Sequence, residues 1–212
     1  AGKQPIEPGD VCWADLNNDG VINNLDRVKV GNLFPTVTGG FSTTLGYKDF
    51  SLYARFDYAL GHTLYNDLAA RSLGQYQGSF NIIDMVKDSW SETNQNTDIP
   101  KFYYADQLSK KNITRSNNGL TAVDNNSSRF YEKGDYLALR EITLTWNLPK
   151  KWINKALMSN ASVYVTGQNL FYITGYTGVS PEPAVDTTYG QGLDNGRYPT
   201  PKTVLLGLSV TF

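Results

Sequence analysis

The sequence has little cysteine and little histidine, and both shortages exclude kinds of chemistry. Its 212 residues include one of each, Cys12 and His62. A single cysteine rules out an internal disulfide, and a single histidine rules out a histidine pair for catalysis or metal binding. The chain also lacks a nucleophile beside a partnered base and a glycine-rich loop that could cradle phosphate. We therefore expect no enzyme activity.

Long apolar runs and a large excess of charge of one sign are missing too. No stretch comes near the roughly 18 apolar residues of a membrane-spanning helix. The net charge of −1 argues against a nucleic-acid-binding surface. A mean hydropathy of −0.39 still leaves membrane strands open, because a strand that alternates apolar and polar residues gives a low average.

What the sequence does contain is alternation with a period of two. In the last ten residues one face of the chain is apolar throughout: Val204, Leu206, Leu208, Val210 and Phe212. A period of two is typical of a β-strand with one face against apolar material. Taken by itself, this strand would fit the edge of a soluble sandwich.

Four upstream segments have the same character: 36–47, 50–65, 136–148 and 161–172. The second of them is the clearest, since its apolar residues alternate with polar ones that include Arg55 and Asp57. Its apolar set is Phe50, Leu52, Ala54, Phe56, Tyr58 and Leu60. A slip by one residue would bring both charges onto the apolar face, so the pattern also fixes the register.

One position breaks the alternation. Ile142, Leu144 and Trp146 form an apolar row in the third of these segments, and Arg140 falls on the same parity. We expect either a β-bulge that shifts the phase at Arg140 or a position of Arg140 above the apolar layer.

The connections between the five segments alternate in length. Two are short, 48–49 and 149–160, and two are long, 66–135 and 173–202. Short turns on one rim and long loops on the other are typical of transmembrane β-barrels. Because the closing strand of such a barrel should end in the periplasm, we expect the long connections outside the cell.

This alternation predicts the organisation of the whole chain. The expected parts are an extracellular loop at 1–35, a hairpin at 36–65, an extracellular loop at 66–135, a hairpin at 136–172, an extracellular loop at 173–202 and a closing strand at 203–212.

The first loop contains a calcium-like motif, DLNNDGVINNLD, at 15–26. Its oxygen-bearing residues occupy the ligand positions of an EF-hand loop: Asp15, Asn17, Asp19, the carbonyl of Val21, Asn23 and Asp26. The last of these is Asp rather than the longer Glu, and no helix is expected after it. Two interpretations stay open, a calcium site and an Asx-rich turn satisfied by its own side-chain to backbone hydrogen bonds.

The long connection at 66–135 is expected to be partly helical. The segment NIIDMVKDSW at 81–90 has apolar residues near a helical period. Several aromatic residues of this connection could stack on sugar rings or, as we favour, hold the loop to itself: Tyr76, Phe80, Trp90, Tyr103 and Tyr104.

The order of these landmarks resembles the C-terminal part of the SusC/RagA-type TonB-dependent transporters of Bacteroidetes. Six stretches occur in sequence and span essentially the whole chain: GDVCWADLNNDGVINNLDRVKVGN, GGFSTTLGYKDFSLYARFDYALG, WSETNQNTDIPKF, SSRFYEKGDYLALREITLTWNLPKKW, ASVYVTGQNLFYITGYTGVSPEP and YPTPKTVLLGLSVTF. Each stretch alone is a weak signal, and the ordered set is specific.

The resemblance implies an all-β fold in which this chain supplies about five antiparallel strands of a 22-stranded barrel in the bacterial outer membrane. Five strands cannot enclose a lumen, so a larger N-terminal part with a plug is expected. The implied function is active import of an oligosaccharide or oligopeptide. The implied partners are a SusD-like surface lipoprotein, the TonB–ExbB–ExbD energy complex reached through that N-terminal part, and outer-membrane lipid.

A second class of function stays open, a secreted calcium-binding β-module that recognises glycan. Solubility distinguishes the two classes, because a transporter segment should enter water only with detergent.

We predict that Phe212, with Leu208 and Val210 behind it, is the assembly signal, since the resemblance makes the terminal strand the recognition element for barrel insertion. Deleting Phe212 should lower the amount of protein in the outer membrane, measured by immunoblot of membrane fractions. Normal amounts combined with lost uptake would contradict this prediction.

Overall fold

A computed structural model describes residues 6–74, 83–103, 112, 127–154, 157–182 and 192–212. The chain divides into two compact units. The first comprises 1–31, 64–132 and 184–196, and the second comprises 32–63, 133–183 and 197–212. None of the helices in the described residues could span a membrane.

Strands dominate the described part of the chain. They are β1 Val37–Tyr47, β2 Phe50–Leu60, β3 Thr63–Asn66, β4 Tyr131–Lys133, β5 Tyr136–Asn147, β6 Asn160–Thr174, β7 Leu193–Asp194 and β8 Thr203–Thr211. The helices are α1 Asp67–Gly74 and α2 Lys150–Ile153, with 3₁₀ turns at Asn24–Asp26, Asp84–Asp88 and Ser128–Phe130.

The second unit is built on one five-stranded sheet with the order β1-β2-β5-β6-β8. Every neighbouring pair in it is antiparallel. These are the five strands that the alternation predicts, so the all-β, antiparallel prediction is confirmed.

The predicted strand at 50–65 is wrong at its far end. β2 stops at Leu60, and Thr63–Asn66 belongs to a separate sheet with the order β4-β3-β7. Gly61 breaks the strand because its φ of 83° lies in the left-handed region, which glycine adopts without strain. Its N–H no longer reaches a strand and donates instead to the carboxylate of Asp135 at 2.6 Å.

A β-bulge at Arg140 explains the break in alternation. Between β2 and β5, Arg55 pairs with Glu141 and the next residue of β2 pairs with Leu139, so Arg140 is the extra residue on β5. Between β5 and β6 the partners move from Phe171 to Gln168, which leaves one further extra residue on β6. The first of the two expectations for Arg140, a bulge, is therefore confirmed.

The two bulges keep one face of the sheet apolar along its whole length. On that face Phe56 stacks on Phe41 of β1 with ring centroids 5.0 Å apart, and Phe50 stacks on Trp146 of β5 at 6.1 Å. The opposite face carries Arg55 and Glu141.

Glycines opposite tyrosines leave room for the tyrosine rings. Gly207 of β8 pairs directly with Tyr164 of β6, and a Cβ at Gly207 would collide with that ring. Tyr58 covers Gly39 of β1 in the same way. An aromatic ring over a cross-strand glycine shields the backbone that glycine leaves bare.

In the first unit a small core joins α1 to the β4-β3-β7 sheet. Tyr65, Ala70, Phe130 and Leu193 are buried together. Asn66 starts α1, because its side-chain oxygen accepts the N–H of Ala69 at 3.1 Å.

The described aromatic residues of 66–135 hold the chain to itself. The ring of Trp90 lies over Gly9, where a Cβ would collide with it. The hydroxyl of Tyr103 donates to Asp10, and burial and this carboxylate together raise the pKa of Tyr103. In the described part of 81–90, residues 83–90, the helical structure is the 3₁₀ turn Asp84–Asp88. Tyr76, Phe80 and Tyr104 lie outside the described residues.

We predict that Phe56→Arg impairs folding whereas Tyr53→Arg does not. Phe56 lies on the apolar face beside Phe41 and Leu139, and Tyr53 lies on the opposite face beside Thr44 and Thr143. An arginine on the lipid face near the middle of a barrel wall costs on the order of 2–4 kcal/mol. Folded protein can be measured by heat-modifiability on gels.

Cysteine labelling checks the same assignment without relying on folding yield. A cysteine at position 56 should react with a lipid-soluble reagent and one at position 55 with a water-soluble reagent. The reverse result would show that the assignment of the two faces is wrong.

Candidate functional site

The densest polar cluster on the sheet surrounds Arg140. Its guanidinium donates to both carboxylate oxygens of Asp57, with Nη2 2.9 Å from Oδ2. It also donates to Glu182 and, at 3.0 Å, to the hydroxyl of Tyr172. We call Asp57, Arg140, Tyr172 and Glu182 the rim network.

The bulge is what allows Arg140 to reach these partners. Asp57, Ala138 and Tyr172 form one row across β2, β5 and β6. Ala138, in the middle of that row, has only a methyl group, which leaves room for the guanidinium of the bulged residue. Without the extra residue Arg140 would point to the apolar face, because side chains of a regular strand alternate.

Glu182 brings a segment after β6 into the same network. Its carboxylate accepts from Arg140 and, at 2.8 Å, from the hydroxyl of Tyr172. The side chains of Arg140, Asp57 and Glu182 are 19%, 32% and 32% exposed. Two carboxylates around one guanidinium leave the cluster with one excess negative charge, so it is a poor binding site for an anion.

His62 holds the residue next to Glu182. Its Nε2 lies 2.9 Å from the carbonyl oxygen of Pro181, and the ring is 1% exposed. The ring also packs edge-on against Tyr136 and covers Gly134. Pro181 and Glu182 are therefore anchored to the sheet by side chains from three separate stretches of chain.

Sequence reasoning found part of this cluster. The parity of Arg140 marked it as unusual, but nothing pointed to Glu182 or Pro181, which lie 42 and 119 residues from their partners. His62 has no catalytic or metal-ligand geometry in the described structure, and its role there is to pack and to anchor.

Arg55 is an exposed cation on the polar face of the sheet. No ion pair is found for it among the described residues, and its strand partners are Ser42 and Glu141. Arg55 lines an open cavity of about 580 Å³, together with Phe56, Asp57, Arg140 and residues 39–42. Its lining combines charged and hydrogen-bonding groups with Phe41 and Phe56.

The calcium-like loop is arranged around backbone N–H groups. The carboxylate of Asp15 accepts from Asp19 at 3.2 Å and from Gly20 at 2.8 Å. Asp19 accepts from Val21 at 2.8 Å, and the amide oxygen of Asn17 accepts from Asp19 at 3.0 Å. These are the bonds expected of a self-satisfied Asx-rich turn.

The other half of the loop closes in the same way. The carboxylate of Asp26 accepts from Leu16 at 2.9 Å and from Asn23 at 2.7 Å, and Asn23 in turn accepts from Leu25 at 2.8 Å. The hydrogen bonds from Asn23 and then Leu16 lower the pKa of Asp26. Their stabilising effect is complete above the ordinary pKa near 4 and is lost as the pH falls through the lowered value.

The donor set of this loop suits a hard cation in its chemistry. Its oxygens are carboxylate, amide and carbonyl, which calcium prefers. Within the described residues, however, no group of three or more His, Cys, Asp or Glu side chains is placed to hold a metal ion. Calcium binding at Asp15, Asn17, Asp19, Val21, Asn23 and Asp26 stays a prediction.

The predicted assembly residues lie on the apolar face at one end of β8. Leu208 pairs with Val163 and Val210 with Ala161. Leu208 and Phe212 are largely exposed, at 65% and 87%. An assembly factor could therefore contact these side chains. Their role as an assembly signal stays a prediction.

The chain is similar to TonB-dependent receptors over nearly its whole length. The chain is 32% identical to TonB-dependent receptor P3 of Formosa agariphila over 97% of its length. It is 26% identical to TonB-dependent receptor SusC of Bacteroides thetaiotaomicron over 99% of its length. The solved structure of the RagAB peptide transporter covers 85% of the chain, with a TM-score of 0.62 and 26% identity.

The chain belongs to the SusC/RagA-type TonB-dependent receptors. Its sheet is thus part of an outer-membrane β-barrel protein. The chain spans about a fifth of these relatives, 19% of receptor P3 and 18% of SusC. No protein-family model matches it.

We predict that Arg140→Met destabilises the receptor by about 2 kcal/mol, because it leaves Asp57 and Glu182 side by side without their shared donor. Arg55→Met, an equal change on the same face, should cost under about 0.5 kcal/mol, since exposed unpaired groups contribute little. The temperature of unfolding in detergent measures both. Equal shifts for the two variants would contradict a stabilising role for the rim network.

We predict that calcium raises the unfolding temperature of the intact receptor after treatment with a chelator, and that Asp15→Asn removes this response. Asp88→Asn, an exposed acid elsewhere in the first unit, serves as the matched control. A wild-type receptor that does not respond to millimolar calcium would establish the self-satisfied turn instead.

Proposed function

We propose that the protein imports a nutrient, an oligosaccharide or an oligopeptide, across the outer membrane by energy-driven transport and without covalent catalysis. The observation that carries this proposal is the similarity to TonB-dependent receptors over 97% of the chain. The relatives are named as receptors or described as transporters, and we extend that class of activity to this protein.

The two faces of the sheet support the proposal. One face carries an unbroken apolar band that suits lipid, and the other carries Arg55, Glu141 and the rim network. A hydrophilic solute can exchange hydrogen bonds with such a wall as it passes, whereas an apolar lumen would reject it.

The partners that we propose are a SusD-like surface lipoprotein and the TonB–ExbB–ExbD complex. A lipoprotein partner is supported by the likeness to SusC and to the RagAB importer. Energy coupling through TonB is supported by the relatives, which are TonB-dependent receptors. The anchored segment at Pro181 and Glu182 gives the predicted extracellular side a fixed base on which a surface partner could rest.

No observation favours the second class, a secreted calcium-binding module that recognises glycan. A broad apolar face would have to be covered in a soluble module. Phe41, Leu45 and Leu206 on that face are 53%, 61% and 81% exposed within this chain. Such exposure fits a sheet whose apolar face contacts lipid.

A growth experiment tests the proposal. Cells that lack the gene should lose growth on one pool, either oligopeptides or oligosaccharides, while growth on the matching monomers is unchanged. Loss of TonB in the wild-type strain should reproduce the defect. Unchanged growth of the gene-deleted strain on every oligomer pool, with normal TonB-dependent growth, would contradict import by this protein.

A further inference from the structure

The end of the sheet opposite the rim network has its own chemistry. It contains the turn at 48–49 and the connection between β5 and β6 at 148–159. The described residues of these short stretches include three lysines, Lys48, Lys150 and Lys151, against one acidic residue, Asp49. Positive charge is therefore concentrated at this end.

The two stretches are direct neighbours. The backbone N–H of Asn147 donates to the carbonyl oxygen of Asp49 at 2.8 Å. The row of residues next to this end runs along the apolar face through Tyr47, Phe50 and Trp146. The lysines thus stand at the margin of the lipid-facing surface.

Helix α2 folds over that margin on the lipid side. Ile153 is 1% exposed and fixes the helix to the sheet. Its neighbour Trp152 is 55% exposed and meets the ring of Trp146 edge-on at 5.8 Å. Because Trp146 lies on the apolar face, Trp152 extends that face beyond the end of the strands instead of turning to the lumen.

Aromatic and basic side chains lie next to each other at this end of the sheet, an arrangement that suits a membrane surface. Tryptophan and tyrosine rings are favoured at the level of lipid headgroups, with the apolar acyl layer on one side and water on the other. Lysine side chains beside them can extend toward headgroup phosphates. Lys48 lies 5.3 Å from the Tyr47 ring centroid, and Lys150 and Lys151 directly precede Trp152.

We propose that Lys48, Lys150, Lys151 and Trp152 form a binding surface for anionic phospholipid headgroups in the periplasmic leaflet of the outer membrane. The proposal rests on the outer-membrane location and on the predicted orientation, and it is independent of which nutrient is imported. Charge complementarity selects this occupant, since three cations at the edge of an apolar surface match a phosphate at the edge of an acyl layer.

Of the three lysines, Lys150 is also positioned by the protein. Its Nζ donates to the carbonyl oxygen of Ser159 at 2.8 Å, which holds the ammonium group at this end of the sheet. Removing Lys150 therefore risks a local change in the connection. Lys48 and Lys151 make no hydrogen bond or ion pair with the described residues and provide variants without that risk.

Native mass spectrometry of the intact receptor in detergent tests the proposal, with phosphatidylglycerol, phosphatidylethanolamine or lipid A added at equal concentration. Wild-type receptor should retain phosphatidylglycerol preferentially. Each lysine near an anionic surface contributes about 1 kcal/mol, which corresponds to about five-fold in binding. Lys48→Gln/Lys151→Gln should therefore lower phosphatidylglycerol binding by an order of magnitude or more, and the triple variant with Lys150→Gln further.

The matched control for the double variant is Lys133→Gln/Lys202→Gln, two exposed lysines of the same unit away from this end of the sheet. It should bind lipid as the wild type does. Equal loss in the control, unchanged binding in the double variant, or preferential retention of lipid A, which belongs to the outer leaflet, would each overturn the proposal.

A depth measurement gives a second, independent readout. A spin label on Trp152→Cys in a cysteine-free receptor, placed in vesicles of phosphatidylglycerol and phosphatidylethanolamine, should be more accessible to oxygen than to a water-soluble nickel chelate. A label on Asp84→Cys, in an exposed 3₁₀ turn, should show the opposite preference. A Trp152 label that behaves like the Asp84 label would place α2 in water and refute the surface.

Discussion

Strand register is the constraint on which the rest of the sheet depends, and the two bulges beside Arg140 set it. A regular β5 would carry Arg140 on the face of Ile142 and Leu144, where a charge meets lipid. One extra residue in β5 and one in β6 rotate the strands back into phase, so Leu139 and Phe171 rejoin the apolar face. The left-handed φ of 52° at Asn169 shows where β6 accommodates its extra residue, a conformation that asparagine tolerates well.

The same irregularity creates the polar cluster that we regard as the base of the predicted extracellular side. Because Arg140 is turned inward over Ala138, its guanidinium can serve Asp57 from one strand and Glu182 from a later segment. A second contact, from His62 to Pro181, holds the adjacent residue. Loop structure above a barrel wall needs such anchors, since loops themselves bury few apolar contacts.

The opposite end of the sheet has a different environment. There the chain reverses within a few residues, and the exposed margin must meet both acyl chains and water. Trp152 on Trp146 supplies apolar surface, and Lys48, Lys150 and Lys151 supply charge that suits lipid phosphates. The two ends of the sheet are thus chemically distinct.

Sequence by itself determined the strands and their faces, because alternation with a period of two is a local property that fixes which side chains share the apolar face. It also showed that Arg140 was out of phase, and offered a bulge as one explanation. It did not show that β2 ends at Leu60, since Thr63–Asn66 continues the same residue types and only Gly61 and Asp135 together turn the chain. Nor did it show Glu182 and Pro181 beside Arg140 and His62. Those contacts join residues far apart in sequence, so only the pairing of strands in three dimensions decides them.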